Sequence, residues 1–463
     1  MSTELVDRHE ASTPTFEVDV PTAVPPGLRR RAVNLANRFP SAWRGGVSLV
    51  DQGVVSATSF FTAIIINRAC APEEVGLYYL SLTIVLISLG VHEHIIAAPY
   101  TIYSRRYQGV ERAAYAGSAW IHHGVVTLAA VALLLVAISV LMATGGSAIL
   151  PALVALVAAG PLLLLREWIR RFAFADLDFA TALAIDVCVA CVQLGGLLAL
   201  AYLDRLTLGA IFLVMGAACG LASLGWYLAR TRRTIYDARR YLADWKHNWA
   251  FGRWAVRGYL VHNIVPYVMV WVVGAAAGTA AAGLLGACTT LIGVTTLLLT
   301  GVDRFLTPRA AQAFVEGGAH VLRRVLVQSA LALLFALVPF ALFVLATDSW
   351  LAELAYGEGF EHSGPILATL AFVSVTTAVG MVSGIGLWAV DRPRANFLAD
   401  LCGVCTTIVL SLFLVPTQGA LGAALATLAG STVAAIVRMF TLQHVLSTQP
   451  RLAPNSDEAS QCP

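Results

Sequence analysis

The chain has 463 residues, 58% of them hydrophobic and only 12% charged, with a formal net charge of +3. An ordinary soluble domain carries about 25% charged residues, so this composition excludes a water-covered globular fold and points to a polytopic membrane protein. The slight basic excess sits where membrane topology requires it, as shown below, and no nucleic-acid motif accompanies it.

Residues 1–44 begin with a Pro-, Thr- and Glu-rich stretch lacking an apolar h-region, so a disordered tail is expected here and a secretory signal peptide is not. Arg29, Arg30, Arg31, Arg38 and Arg44 follow, a basic run suited to anchoring next to an anionic leaflet.

A membrane helix needs about 20 apolar residues. Twelve such windows follow in order: Val47–Ile66, Val75–Ala98, Ser118–Ala143, Ile149–Leu165, Thr181–Tyr202, Leu208–Ala229, Trp254–Ala277, Ala280–Val302, Val325–Ala346, Pro365–Val390, Ala395–Val415 and Ala420–Thr441. No alternating segments of a membrane β-barrel are found. Placing the amino terminus in the cytoplasm leaves 28 of the 30 Lys and Arg on that side, with only Arg68 and Arg205 outside. The positive-inside rule therefore predicts both termini cytoplasmic.

Between the first two spans, Pro72 and Gly76 mark a tight hairpin. The fourth span ends in Arg166-Glu167-Trp168-Ile169-Arg170-Arg171, which reads as an interface belt, or alternatively as a platform for a lipid diphosphate. In 230–253, Tyr241, Trp245 and Trp249 recur every four residues, predicting an amphipathic linker helix on the membrane surface. The loop Asp348–Ser363 reads as a solvated acidic loop.

Two halves are expected from an internal repeat. Asp186, Cys188 and Cys191 in the fifth span answer Asp400, Cys402 and Cys405 in the eleventh at an offset of 214 residues, and Leu208-Gly209-Ala210 answers Leu421-Gly422-Ala423. Six spans is an even number, so the halves, 45–229 and 254–445, share one topology, as in parallel-repeat transporters, and a tail follows at 446–463. Six cysteines lie inside predicted spans without metal-ligand spacing, so a packing role is expected and a disulfide scaffold or zinc site is not.

Ionisable groups inside spans are costly and mark functional sites. They gather near the cytoplasmic ends of four helices: Asp51 and Gln52; His92, Glu93 and His94; Arg253, Arg257, His262 and Asn263; Asp303 and Arg304. These predict one chamber with acidic and basic walls. Arg253, Arg257 and Arg304 could instead snorkel, His262 and Asn263 could serve a kink at Pro266, and Asp51 could form a buried pair with a facing Arg. Asp186 and Asp400 are read as local caps or pairs. No phosphate loop, metal-ligand set or catalytic triad is found, so neither an enzyme nor a cofactor is expected.

The stretch Ser48-Leu49-Val50-Asp51-Gln52 through Asn67-Arg68, then Pro72-Glu73-Glu74-Val75-Gly76-Leu77-Tyr78, resembles the opening of bacterial polysaccharide-biosynthesis flippases of the multidrug/oligosaccharidyl-lipid/polysaccharide exporter superfamily. Arg170-Arg171-Phe172-Ala173-Phe174, Asp186 and the Leu-Gly-Ala starts of spans six and twelve are similar to that group too. The resemblance implies an all-α, two-bundle, MATE-like exporter in the bacterial plasma membrane, moving an isoprenoid-diphosphate-linked oligosaccharide from inner to outer leaflet. Arg257, Arg304 and Arg68 then become candidates for the diphosphate, with Asp51 or Glu93 positioning them or cycling a proton; H⁺ or Na⁺ is the coupling ion implied. A MATE-type cation/drug antiporter shares the fold and is the alternative. The lipid II flippase branch is less similar, having two additional spans.

Overall fold

The structure is a computed structural model that describes residues 40–145, 147–230, 235–237, 240–357 and 359–448. The basic run Arg29–Arg38, Glu358 and nearly all of both expected tails lie outside these residues, as does the Arg44 side chain. Every described secondary-structure element is helical.

Helix α1 (Pro40–Ala69) and α2 (Pro72–His92) form the first hairpin, with Pro72 in the first turn of α2, where its missing N–H costs nothing. α2 runs through a π-helical turn, Glu93–Ala97, into α3 (Ala98–Tyr103) and a 3₁₀ turn at Ser104–Arg106, so that Pro72–Arg106 is one span. Pro99 lies two residues after the π-helical turn, in the first turn of α3, and cannot donate to the ladder. α4 (Gly109–Ala143), α5 (Leu150–Ala175), α6 (Phe179–Tyr202) and α7 (Leu208–Arg230) complete the first half. The α5–α6 turn is fixed by the Asp178 carboxylate, which accepts from the Thr181 N–H at 3.1 Å and caps α6.

In the second half come α8 (Tyr241–Ala277), α9 (Thr279–Ile292), α10 (Val294–Thr347), the short α11 (Trp350–Tyr356), α12 (Gly364–Ala389) and α13 (Pro393–Thr448). Among the described residues nine helices are long and apolar enough to cross a membrane, and α8, bent by 50° between Val261 and Val265, makes a tenth. Helix α10 breaks into two legs at Gly317 and Gly318, and α13 at Gly419, where φ is +56°. α9 continues past Gly293 into the first leg of α10. Each of the twelve windows falls on one of these legs.

The expected surface linker is different in the structure. Its helix is the first leg of α8 itself, and it packs on the first half. Tyr115 donates its hydroxyl to Asn248 Oδ1 at 2.8 Å, and His122 bonds the Tyr241 carbonyl at 2.9 Å. The aromatic stripe is split, because Tyr241 and Trp245 are half-buried against the first half while Trp249 is exposed. Trp245 contacts His122 with ring centroids 5.1 Å apart.

The two halves meet tightly at the end of the molecule opposite the basic residues. A Cβ on Gly76 of α2 would lie 1.8 Å from the Thr279 carbonyl oxygen, and one on Gly283 of α9 would lie 2.8 Å from the Gly76 nitrogen. The main core runs across this seam, joining Tyr78 and Tyr79 to Leu285, Cys288 and Tyr356. Tyr356 donates to the Ala287 carbonyl at 3.0 Å, so the stretch read as a solvated acidic loop also holds a buried anchor. Closer to the basic end, Trp271 of α8 donates to Thr83 Oγ1 at 2.7 Å and Tyr259 donates to the Leu86 carbonyl at 3.0 Å.

Candidate functional site

Helix α5 places Arg166, Glu167, Arg170 and Arg171 within about 140° of arc at 3.6 residues per turn. That face points into the first half, where Arg170 is only 7% exposed. Its guanidinium joins two other helices. Nη2 donates to Asp51 Oδ2 of α1 at 2.7 Å, and Nε lies 2.8 Å from Asp186 Oδ2 of α6. Arg166 donates to the second oxygen of Asp186. Arg171 Nε lies 3.0 Å from Glu93 Oε2 on the π-helical turn and 2.8 Å from Glu167 Oε1. Arg166 also reaches Glu167 at 3.3 Å.

Four carboxylates thus share three guanidiniums. Isolated buried carboxylates are prohibitive in a low-dielectric interior, and the bidentate fork of Arg is the side chain that can serve two of them at once. The count leaves one carboxylate in excess, which means one uncompensated negative charge or one bound proton. Asp51 is therefore the buried pair that the sequence offered as one of its two readings. The stretch around Trp168 is no interface belt, since Trp168 and Ile169 are fully buried and the arginines turn inward. An Arg-rich stretch with i, i+4 spacing was visible in the sequence, but not the two aspartates that it faces.

The expected chamber with mixed walls is corrected accordingly. Of its acids, Asp51 and Glu93 are tied to α5 and Asp303 is not, whereas the three arginines expected to line it from the second half are not tied to acids. Arg253, Arg257 and Arg304 are exposed, and among the described residues none has a carboxylate within salt-bridge distance. Arg257 lies over the Trp254 ring at 4.7 Å. Asp303 accepts from Thr307 at 3.4 Å and is not paired with its neighbour Arg304. Gln52 is half-buried beside Asp51. Asn263 donates back to the Tyr259 carbonyl at 3.0 Å in the helix bend, and the His262 side chain lies outside the described residues.

At 1.5 Å per residue, Arg257 stands about 30 Å along α8 from the far end at Ala277, and Asp51 about 27 Å from Ala69. The hydrocarbon core is about 30 Å thick, so Asp51 lies near its edge at the basic end, and Arg257 lies beyond the 50° bend of α8 on that side. Arg68 is not among them. It sits at the far end, donating to the carbonyls of Ala355 at 2.8 Å and Leu354 at 2.6 Å, where it closes the last turn of α11.

His92 is fully buried. Its Nε2 meets His123 Nδ1 at 2.8 Å, inside a block of Tyr100, Tyr115, Trp168 and Phe172. The sequence offered no partner for His123, since the two histidines are on different helices. His94 stacks on Tyr259 at 4.8 Å between centroids, across the two halves.

The repeat positions Asp186 and Asp400 both carry ion pairs, but with arginines from different helices. Asp400 is paired with Arg438 of the last leg of α13, whose Nε also donates to Asn396 Oδ1 at 3.2 Å. That arginine crosses α12 at Gly380, where a Cβ would lie 3.3 Å from its Nη1. The four cysteines of the repeat, Cys188, Cys191, Cys402 and Cys405, are exposed, on faces turned away from the aspartates. They are not the close-packed residues expected.

No protein-family model and no curated protein matches this chain. Solved structures do. An inward-facing multidrug resistance MATE family transporter of the MOP superfamily superposes with a TM-score of 0.69 at 14% identity, over 86% of this chain and 98% of that one. The lipid II flippase MurJ in an inward closed conformation gives 0.68 at 13% identity, over 85% and 87%. A MOP superfamily transporter from Pyrococcus furiosus, described by the reverse polarity of its binding pocket, gives 0.58 at 15%, over 87% and 94%. At these identities the likeness is one of fold. The chain is a multi-pass membrane protein with the fold of MOP superfamily transporters, as the resemblance implied, and it superposes on the lipid II flippase as well as on the MATE transporter.

Proposed function

We propose that the protein is a flippase that carries an isoprenoid-diphosphate-linked oligosaccharide from the inner to the outer leaflet of a bacterial plasma membrane by alternating access, for cell-surface polysaccharide biosynthesis. The observation that supports this reading is that three exposed arginines, Arg253, Arg257 and Arg304, have no acidic partner among the described residues, while Asp51, Glu93 and Asp186 are paired with arginines of α5. An anion is the partner that each of these guanidiniums lacks. A diphosphate pairs with guanidinium through charge-assisted, bidentate hydrogen bonds, and its headgroup lies near the depth at which these arginines stand. A cation/drug antiporter is the alternative reading, and Asp303, half-buried and in no ion pair among the described residues, is the acid that a cationic cargo would use.

In this proposal the basic end faces the cytoplasm, with both termini there, and residues 45–229 and 254–445 move as two six-span units. The excess carboxylate of the α5 cluster is a place for the coupling ion, H⁺ or Na⁺. The deciding experiment removes the protein from cells that make a lipid-linked glycan. The inner-leaflet intermediate should accumulate, and an unchanged outer-leaflet pool would end the proposal. Arg257→Ala and Arg304→Ala are expected to abolish flipping while membrane levels hold; full activity in both would remove the assigned site.

A further inference from the structure

Between the second leg of α10, the middle of α12 and the last turns of α13 lies a cavity of about 1520 Å³. This exceeds the roughly 300–1,000 Å³ of sites for small ligands. Neither Arg257 nor Arg304 lines it. Its wall is graded from polar to apolar. His320, Arg323 and His444 stand at the basic end, while Val379, Val382 and Met439 form the deeper wall. Counted from the far ends of their helices at 1.5 Å per residue, Arg323 and His444 lie about 36 Å from that surface and Val382 about 27 Å. The polar groups therefore fall at headgroup level and the apolar wall lies within the hydrocarbon, which is about 30 Å thick. Arg323 is exposed and has no carboxylate partner among the described residues.

The internal repeat explains why the space is open. The offset of 214 that takes Asp186 to Asp400 takes Trp168 to Val382 and Phe172 to Gly386. In the first half, rings of Trp120, Trp168, Phe172 and Trp226 plug the region between α4, α5 and α7. In the second half Leu326 and Leu442 close on Gly386, but the volume beside Val382 remains.

We propose that this groove binds an anionic phospholipid of the leaflet at the basic end, with its phosphate on Arg323, His320 and His444 and one acyl chain along Val379, Val382 and Met439. Basic pockets between membrane helices on the positively charged side select anionic headgroups, and charge-assisted bonds from a guanidinium favour phosphate over a zwitterionic head. A free anion would leave the apolar wall bare, and a pure hydrocarbon would leave Arg323 unmatched. An amphiphile satisfies both within the one groove, without contact with Arg257 or Arg304, so the inference does not rest on the cargo.

The test uses the full chain in nanodiscs of phosphatidylglycerol mixed with phosphatidylcholine, with retained lipid counted by native mass spectrometry. Phosphatidylglycerol should be retained preferentially by the unaltered protein. The double variant R323Q/H444Q should lower that retention about tenfold, and Ala330→Trp, which places an indole in the groove, should do the same. Arg309→Gln, at the same end but outside the groove, should leave it unchanged. Equal retention of the two lipids, or full retention in R323Q/H444Q with a monodisperse protein, overturns the proposal. So does displacement of phosphatidylglycerol by an equimolar polyprenyl diphosphate, which would make the occupant the cargo.

Discussion

Removing the Arg170 side chain would leave Asp51 and Asp186 buried together without the cation that both of them touch. Breaking a buried ion pair from one side costs about 3–5 kcal/mol, so Arg170→Ala should lower the thermal midpoint sharply in a detergent-solubilised unfolding scan. Arg170→Lys should recover little of it, because a compact ammonium cannot reach carboxylates on α1 and α6 together. An unshifted midpoint for Arg170→Ala would refute the network as drawn. Arg257 gives the opposite profile. It is exposed and has no salt bridge, so Arg257→Ala should change stability by less than about 0.5 kcal/mol while transport is lost. The two arginines look alike in sequence. Their difference lies in what stands opposite, and Asp51 is 119 residues from Arg170.

At the scale of elements, the seam between α2 and α9 closes the far end through glycines that let the backbones touch. Gly283→Leu would drive a side chain into the Gly76 nitrogen and the Pro72 carbonyl, so that end should open. In a background with the other cysteines replaced, Cys288, fully buried beside this seam, should then label with a membrane-impermeant maleimide several times faster than in the parent. Unchanged labelling would show that the seam is not the closure. The spans themselves were readable, because a run of apolar residues is a local sum and a helix is the only local way to satisfy its backbone in lipid. The breaks at Gly317, Gly318 and Gly419 fall between expected windows, so they too were legible as glycines outside the apolar runs. In the first leg of α8 the structure buries Asp244 and Asn248 and leaves Trp249 exposed, and a four-residue period does not say which face meets protein.

For the whole molecule, the proposed diphosphate cargo, with about two negative charges moving outward through an inside-negative potential of about 100 mV, would gain roughly 4–5 kcal/mol, at about 2.3 kcal/mol per charge. Flipping in proteoliposomes should accelerate when a potential of that sign is imposed and slow when it is collapsed. A rate indifferent to potential would mean that an ion moves with the cargo and cancels its charge.

The sequence by itself determined that this is a membrane protein of apolar helices, how many windows can span, which end carries the basic residues, and which family of folds the chain resembles. Each of these follows from composition or from patterns within a few dozen residues. Only the tertiary structure decided which charges neutralise one another, that Arg68 braces the far end, that His92 meets His123, and that a cavity opens beside Val382 where the first half places Trp168. Those outcomes depend on the rotation of each helix about its axis and on contacts of about 3 Å, and a side chain's hydropathy is blind to both.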